Sequence, residues 1–174
     1  MDDHRGIGMN GGKVGAVVGV AFGCAWGIAG AIALPAPWST WCVGLSIGIS
    51  VALATGLAVL PGRVGSGTFR GQVYGVAVAL EGMGIVMATW LLRYFSLSRF
   101  LLPAIGFVVG LHFIGLWKAT DLSLFLWTAG ALCIVCAVAA FLPGFTENGG
   151  IDVRQVVAGL GCALVLWAAG AATL

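Results

Sequence analysis

Two ionisable residues stand inside long apolar runs: Glu81, between Leu80 and Gly82, and His112, between Leu111 and Phe113. A charged side chain near the middle of a membrane costs about 2.5–3.5 kcal/mol on insertion scales, so such residues turn inward and mark a pathway, a proton relay or a binding site. At about 100° per residue, Glu81 shares a helical face with Tyr74, Ala77, Val78, Gly84, Ile85 and Ala88. That face is mostly small, which suits a neighbouring helix or a narrow cavity. His112 shares one with Ile105, Val108, Val109 and Gly115. A carboxylate beside an imidazole would explain how each is tolerated in hydrocarbon, and such a pair can relay a proton. Each residue also has a purely structural reading, as a hydrogen-bonded linker between helices.

The other reactive residue types point to less. Cys24, Cys42, Cys133, Cys136 and Cys162 all lie in or beside apolar runs. Buried cysteine behaves mostly as a small hydrophobe, and the count implies no disulfide framework. Cys133 and Cys136 have CxxC spacing but no second pair, so neither a metal nor a cofactor is expected. Gly6-Ile7-Gly8-Met9-Asn10-Gly11 fits GxGxxG without the strand that a dinucleotide fold requires. Gly44-Leu45-Ser46-Ile47-Gly48 fits a nucleophile elbow, yet sits inside an apolar run. Pairing Ser46 with His112, as intramembrane serine proteases do, meets Ile47 where their Gly-x-Ser-Gly motif has glycine. The expectation is a protein that is not an enzyme.

The elements that must position Glu81 and His112 follow from composition. Of 174 residues, 60% are apolar and 8% are charged, and mean hydropathy is +1.09. Soluble domains are about 45–50% apolar and about 25% charged, so a soluble domain is excluded, as is a nucleic-acid binder with its basic patch. Six runs approach the roughly 20 residues that cross a bilayer as a helix: 14–34, 42–60, 71–92, 100–117, 122–142 and 153–173. A barrel would alternate polarity instead. The fold class expected is an all-α, multi-pass transmembrane helical bundle, one integral membrane domain over 1–174 with a short polar segment at 1–13.

Pro35, Pro37, Pro61-Gly62, Pro143-Gly144 and Lys118-Ala119-Thr120-Asp121 punctuate the runs. Trp38, Trp41, Trp90, Trp117 and Trp127 fall near run ends, at headgroup level, whereas Trp26 and Trp167 lie deeper, where helices pack. The first run is longer than the roughly 7–15 residues of a signal-peptide core and reads as a retained helix. Six spans put both termini on one side, with Arg5, Lys13, Arg63, Arg70 and Lys118 against Arg93, Arg99 and Arg154 on the other. That bias favours cytoplasmic termini. Arg93, Arg99, Lys118 and Asp121 read as anchors at the interface.

Glycine accounts for 29 residues. Gly15, Gly19, Gly23 and Gly27 form a four-residue row that predicts close helix packing, and Gly44, Gly48 and Gly56, with Gly71 and Gly75, predict the same for the next two helices. The halves 14–95 and 100–174 also echo each other. Val17-Val18-Gly19 parallels Val108-Val109-Gly110, Trp41 and Gly44 parallel Trp127 and Gly130, and Leu60-Pro61-Gly62 parallels Leu142-Pro143-Gly144. Three spans per half would make this a 3+3 inverted repeat, a plan common in transporters. Chance similarity among apolar helices is the alternative.

The segment Gly106-Phe107-Val108-Val109-Gly110-Leu111-His112-Phe113 resembles small bacterial multi-pass proteins, which implies a plasma-membrane location and no particular activity. The function expected is a transporter or channel for an ion or small solute, proton-coupled through Glu81, with the bilayer and a second copy as partners. The alternative is a non-catalytic accessory or assembly subunit held by its glycine faces.

Overall fold

The computed structural model describes residues 11–60, 70–142 and 151–174, with side chains from residue 15 onward. Arg5, Arg63, Pro61-Gly62, Pro143-Gly144, the Lys13 side chain and all but the last residue of the Gly6–Gly11 pattern lie outside that description.

The described chain is all-helical. It forms α1 (Gly11–Ala31), α2 (Trp38–Val59), α3 (Gly71–Tyr94), α4 (Leu101–Thr120), α5 (Ser123–Phe141) and α6 (Val153–Ala171), with a 3-10 turn at Ser98–Phe100 before α4. Five of these, α2 to α6, are long and apolar enough to cross a membrane, and α1 contributes the shorter apolar stretch Gly15–Ala31. The helices fit a multi-pass membrane protein.

Helix boundaries depart from the apolar runs where local chemistry intervenes. α1 stops at Ala31 rather than 34, and the chain tightens through Ala33 N–H to Gly30 C=O and Leu34 N–H to Ala31 C=O before Pro35. A residue that precedes proline is disfavoured in the helical region. α2 starts at Trp38, four residues earlier than the run, because the Pro35 and Pro37 carbonyls accept from the Ser39 and Trp41 N–H groups. α4 runs through Lys118 to Thr120 and ends where Asp121 turns left-handed at φ 56°. Aspartate is among the few non-glycine residues that adopt this conformation readily.

The helices alternate in direction. At one end Phe100 lies under the guanidinium groups of Arg99 and Arg154, 5.1 and 4.7 Å from its ring centre, so α4 and α6 begin together. At the other end Ala16 and Val20 of α1, Leu57 of α2 and Leu174 form a small core. Arg70 at the start of α3 meets Asp121 after α4 at 3.2 Å. Trp38, Trp41, Trp90 and Trp127 are exposed near helix ends, while Trp26 and Trp167 are buried, as their depth in the runs predicts.

α1 packs most extensively on α6, then on α2; α6 packs on α5, α5 on α4, and α4 on α3. The helices thus follow one another around the bundle, but α2 and α3 make no extensive contact. The equivalent pair in the second half, α5 and α6, is closely packed. The main core gathers Trp26, Val109, Leu132, Cys136, Cys162, Ala163, Leu166 and Trp167.

Three of the four glycines in the first row lie at tight contacts. A Cβ at Gly15 would meet Phe125 at 2.9 Å, one at Gly23 would meet Trp167 at 2.7 Å, and one at Gly27 would meet Ser46. Gly19 is looser, with the Leu166 carbonyl at 3.9 Å. The second and third rows correct the expectation: Gly44, Gly48 and Gly75 face open space, and only Gly56 is crowded, by Leu174. Small residues permit close approach without requiring it, and α2 turns Ser46, Ser50 and Leu57 inward instead.

Trp167 is held in this seam by its indole N–H, which donates to Ser50 Oγ at 3.0 Å. Side-chain hydrogen bonds between membrane helices average about 0.6 kcal/mol, with a maximum near 1.7. Ser50→Ala is therefore expected to destabilise the bundle by about 1 kcal/mol in detergent unfolding, with no loss of yield. A change above about 3 kcal/mol would show that Ser50 does more than cap the indole.

Candidate functional site

Glu81 lies midway along α3 and His112 midway along α4, and the two helices bring them into contact. His112 Nδ1 is 3.5 Å from Glu81 Oε2, with side chains 8% and 14% exposed. The register that aligns them is set by two small-to-large contacts. Gly115 receives Ala77, whose Cβ would lie 2.6 Å from an added methyl, and Gly84 receives Val108 at 2.9 Å. Ala77, Gly84, Val108 and Gly115 are the neighbours that helical spacing places on the Glu81 and His112 faces; that α3 and α4 meet along those faces is what the structure adds, since α2 and α3, equally adjacent in sequence, make no extensive contact.

The imidazole has a second partner that defines its chemistry. Nδ1 lies 3.1 Å from the Ala77 carbonyl oxygen. A carbonyl can only accept, so the ring donates from Nδ1 to Ala77, and the Glu81 carboxylate lies beside that N–H at ion-pair distance. Nε2 then carries the lone pair when the ring is neutral. Among the described residues no hydrogen bond satisfies Nε2, and no buried side-chain nitrogen or oxygen lacks a partner. Nε2 therefore reaches accessible space.

That space is a groove of about 580 Å³ between α3 and α4. Its walls are Val73, Val76, Leu80 and Met87 of α3 with Val108, Leu111 and Ile114 of α4, and among the described residues its ionisable lining is Glu81, His112 and Lys118. From His112 to Lys118 is about 9 Å of helix rise, so the groove leads from the pair towards the end of the bundle where Arg70 meets Asp121. The Lys118 ammonium sits over the Trp117 ring, 4.3 Å from its centre. A second groove, about 270 Å³ between α5 and α6, is lined by apolar side chains and Thr128 and holds no titratable group.

The remaining candidates are dispersed. Ser46 is buried, donates to the Cys42 carbonyl of its own helix at 2.8 Å and lies against Gly27, whereas His112 faces α3. The glycines Gly15, Gly19, Gly23 and Gly27 line the α1 seam and contribute nothing to the groove.

CxxC spacing proves a poor guide to thiol pairing. Cys133 turns towards the Phe107 carbonyl, and Cys136 instead meets Cys162 of α6, with Sγ atoms 3.5 Å apart and both side chains buried. Gly106 makes room for them, since a Cβ there would collide with Cys136 Sγ. The pairing crosses between helices, where no single-helix motif could announce it. No group of three or more His, Cys, Asp or Glu side chains that could hold a metal occurs among the described residues.

Compared with known proteins, the chain matches no protein-family model, no curated protein and no solved structure.

Proposed function

We propose that the protein is a small transporter or channel for an ion or small solute, coupled to protons through Glu81 and His112. The observation that carries this reading is the pair itself: a carboxylate and an imidazole in contact, mid-helix, on the wall of a groove. Intramembrane acids are costly and in general mark pathways, and a ring nitrogen open to the groove offers a place for a proton to arrive or leave. Purified protein in liposomes, loaded with a pH-sensitive dye, should move protons when a gradient of the right solute is applied. Wild-type flux above that of both Glu81→Gln protein and empty liposomes, in a panel of ions and small metabolites, supports the reading. Equal behaviour of all three throughout the panel and over several pH values overturns it.

The peripheral place of α3 favours a second reading. α3 packs on α4 and the adjoining 3-10 turn, and Ala77 is its one buried residue. An accessory or assembly subunit would present such a helix to a partner, and the flux result separates the two.

Both readings place the protein in a bacterial plasma membrane with cytoplasmic termini. Reporters fused after residues 66 and 147 should then report opposite compartments, with residue 66 cytoplasmic. Equal signals from the two would contradict the six-span arrangement.

A further inference from the structure

The groove's chemistry narrows what it can hold. A small inorganic cation such as sodium, magnesium or calcium gives up water only for several oxygen ligands. Here the Glu81 carboxylate is the one side-chain oxygen group on the groove wall, and the nearby Ala77 carbonyl already accepts from His112. A cation clothed in hydrocarbon has no such demand. It needs one countercharge, apolar walls and space, and the groove has Glu81, a lining of Val, Leu, Ile and Met side chains, and about 580 Å³. Pockets for drug-sized ligands span about 300–1,000 Å³.

We propose that the groove between α3 and α4 takes a monovalent lipophilic organic cation, of the quaternary ammonium or phosphonium class, in exchange for a proton on Glu81. This deepens the transport reading above and rests on it. The exchange balances in charge. With Glu81 ionised and His112 neutral, the pair is a single negative charge and binds the cation. A proton arriving at the carboxylate neutralises it and releases the cation; His112, neutral before and after, aims the carboxylate and offers Nε2 as the proton's way in from the groove. The titratable and charged groups around the pair are few. α4 contributes His112 and Lys118, α3 itself contributes Tyr74, Arg93 and Tyr94, α5 turns Cys133 to the α4 backbone, and Arg70 paired with Asp121 stands at one end and Arg99 at the other. Lys118, held over Trp117, marks the mouth without reaching the pair.

Tetraphenylphosphonium is the probe, and equilibrium binding to the purified full-length protein in detergent micelles is the assay. Affinity should rise with pH, by up to about tenfold per unit for one exchanged proton, and one proton should leave for each cation bound. Glu81→Gln should lose binding at every pH. Should that variant fail to fold, Leu111→Trp, which fills the groove from the exposed side of α4, should weaken binding while the wild-type proton release still reports the exchange. His112→Asn keeps a donor for the Ala77 carbonyl, so it should retain binding with an altered pH profile, which a merely structural role would leave unmoved. Binding that is independent of pH, or that survives Glu81→Gln, overturns the proposal. So does absence of binding by wild type: if Glu81-dependent flux of some other solute persists, the organic-cation assignment alone falls, and if no solute shows such flux, the transport reading falls with it.

Discussion

Replacing Glu81 with glutamine is expected to reduce proton-coupled flux in proteoliposomes to that of empty vesicles, while folded yield stays within about twofold of wild type. The amide keeps the length and shape of the side chain and retains an oxygen that can accept from His112 Nδ1, which lies 3.5 Å from the carboxylate. It cannot ionise at any pH, so it removes the charge change and little else. Folding should tolerate the swap, because a neutral amide is cheaper than a carboxylate in hydrocarbon and the α3–α4 register rests on Ala77 against Gly115 and Gly84 against Val108. If Glu81→Gln abolished accumulation of the protein while leucine at Gly23 were harmless, the carboxylate would be structural and the coupling assignment would fail.

The second large effect belongs to the α1–α6 seam. Gly30 and Gly159 bring two backbones into contact: a Cβ on Gly159 would collide with the Gly30 backbone, and one on Gly30 would lie 2.6 Å from the Leu160 nitrogen. A side chain at the far end of a rotamer can move aside, but a helix backbone cannot without separating the helices. Overpacking by a methylene or two typically costs about 1–3 kcal/mol. A whole leucine against backbone should exceed that, on the order of 3–5 kcal/mol, enough to unfold a marginally stable domain. Gly159→Leu and Gly30→Leu should therefore eliminate the monodisperse peak in size-exclusion chromatography of detergent extracts. An added Cβ at Gly44, Gly48 or Gly130 meets nothing within 4 Å, so leucine at these positions should be silent. Wild-type behaviour of Gly159→Leu would show that α1 and α6 do not cross there.

These two predictions also show what can be read from the chain before its structure is known. Apolar runs close to the length that crosses a bilayer identify the helices, and helical periodicity places Ala77, Gly84, Val108 and Gly115 beside Glu81 and His112, but the pairing of α3 with α4 lies outside it, since the equally adjacent α2 and α3 make no extensive contact. What periodicity cannot supply is which faces meet between helices remote in sequence. Gly15, Gly23 and Gly27 are crowded and Gly44 and Gly48 are not, although their spacing is alike, because the difference lies in where α2, α5 and α6 stand around α1. Gly30, one turn beyond the first row, makes the closest approach of all, to a helix that begins more than a hundred residues later. The Cys136–Cys162 contact is hidden for the same reason, being set by the crossing of α5 and α6 rather than by CxxC spacing. The helix ends at Ala31 and Asp121 follow proline and left-handed backbone, which act on single residues and escape any hydropathy window.

The site rests on one arrangement: the His112 ring donates from Nδ1 to the Ala77 carbonyl, beside the Glu81 carboxylate, and leaves Nε2 open to the groove. Nitrogen NMR of that ring is the direct test. In the neutral ring of the wild-type protein Nδ1 should carry the proton, held by the Ala77 carbonyl, and the Nδ1 signal should move in Glu81→Gln, because that nitrogen lies 3.5 Å from the carboxylate. A neutral ring protonated at Nε2 alone, or an Nδ1 signal unmoved by Glu81→Gln, would contradict the arrangement.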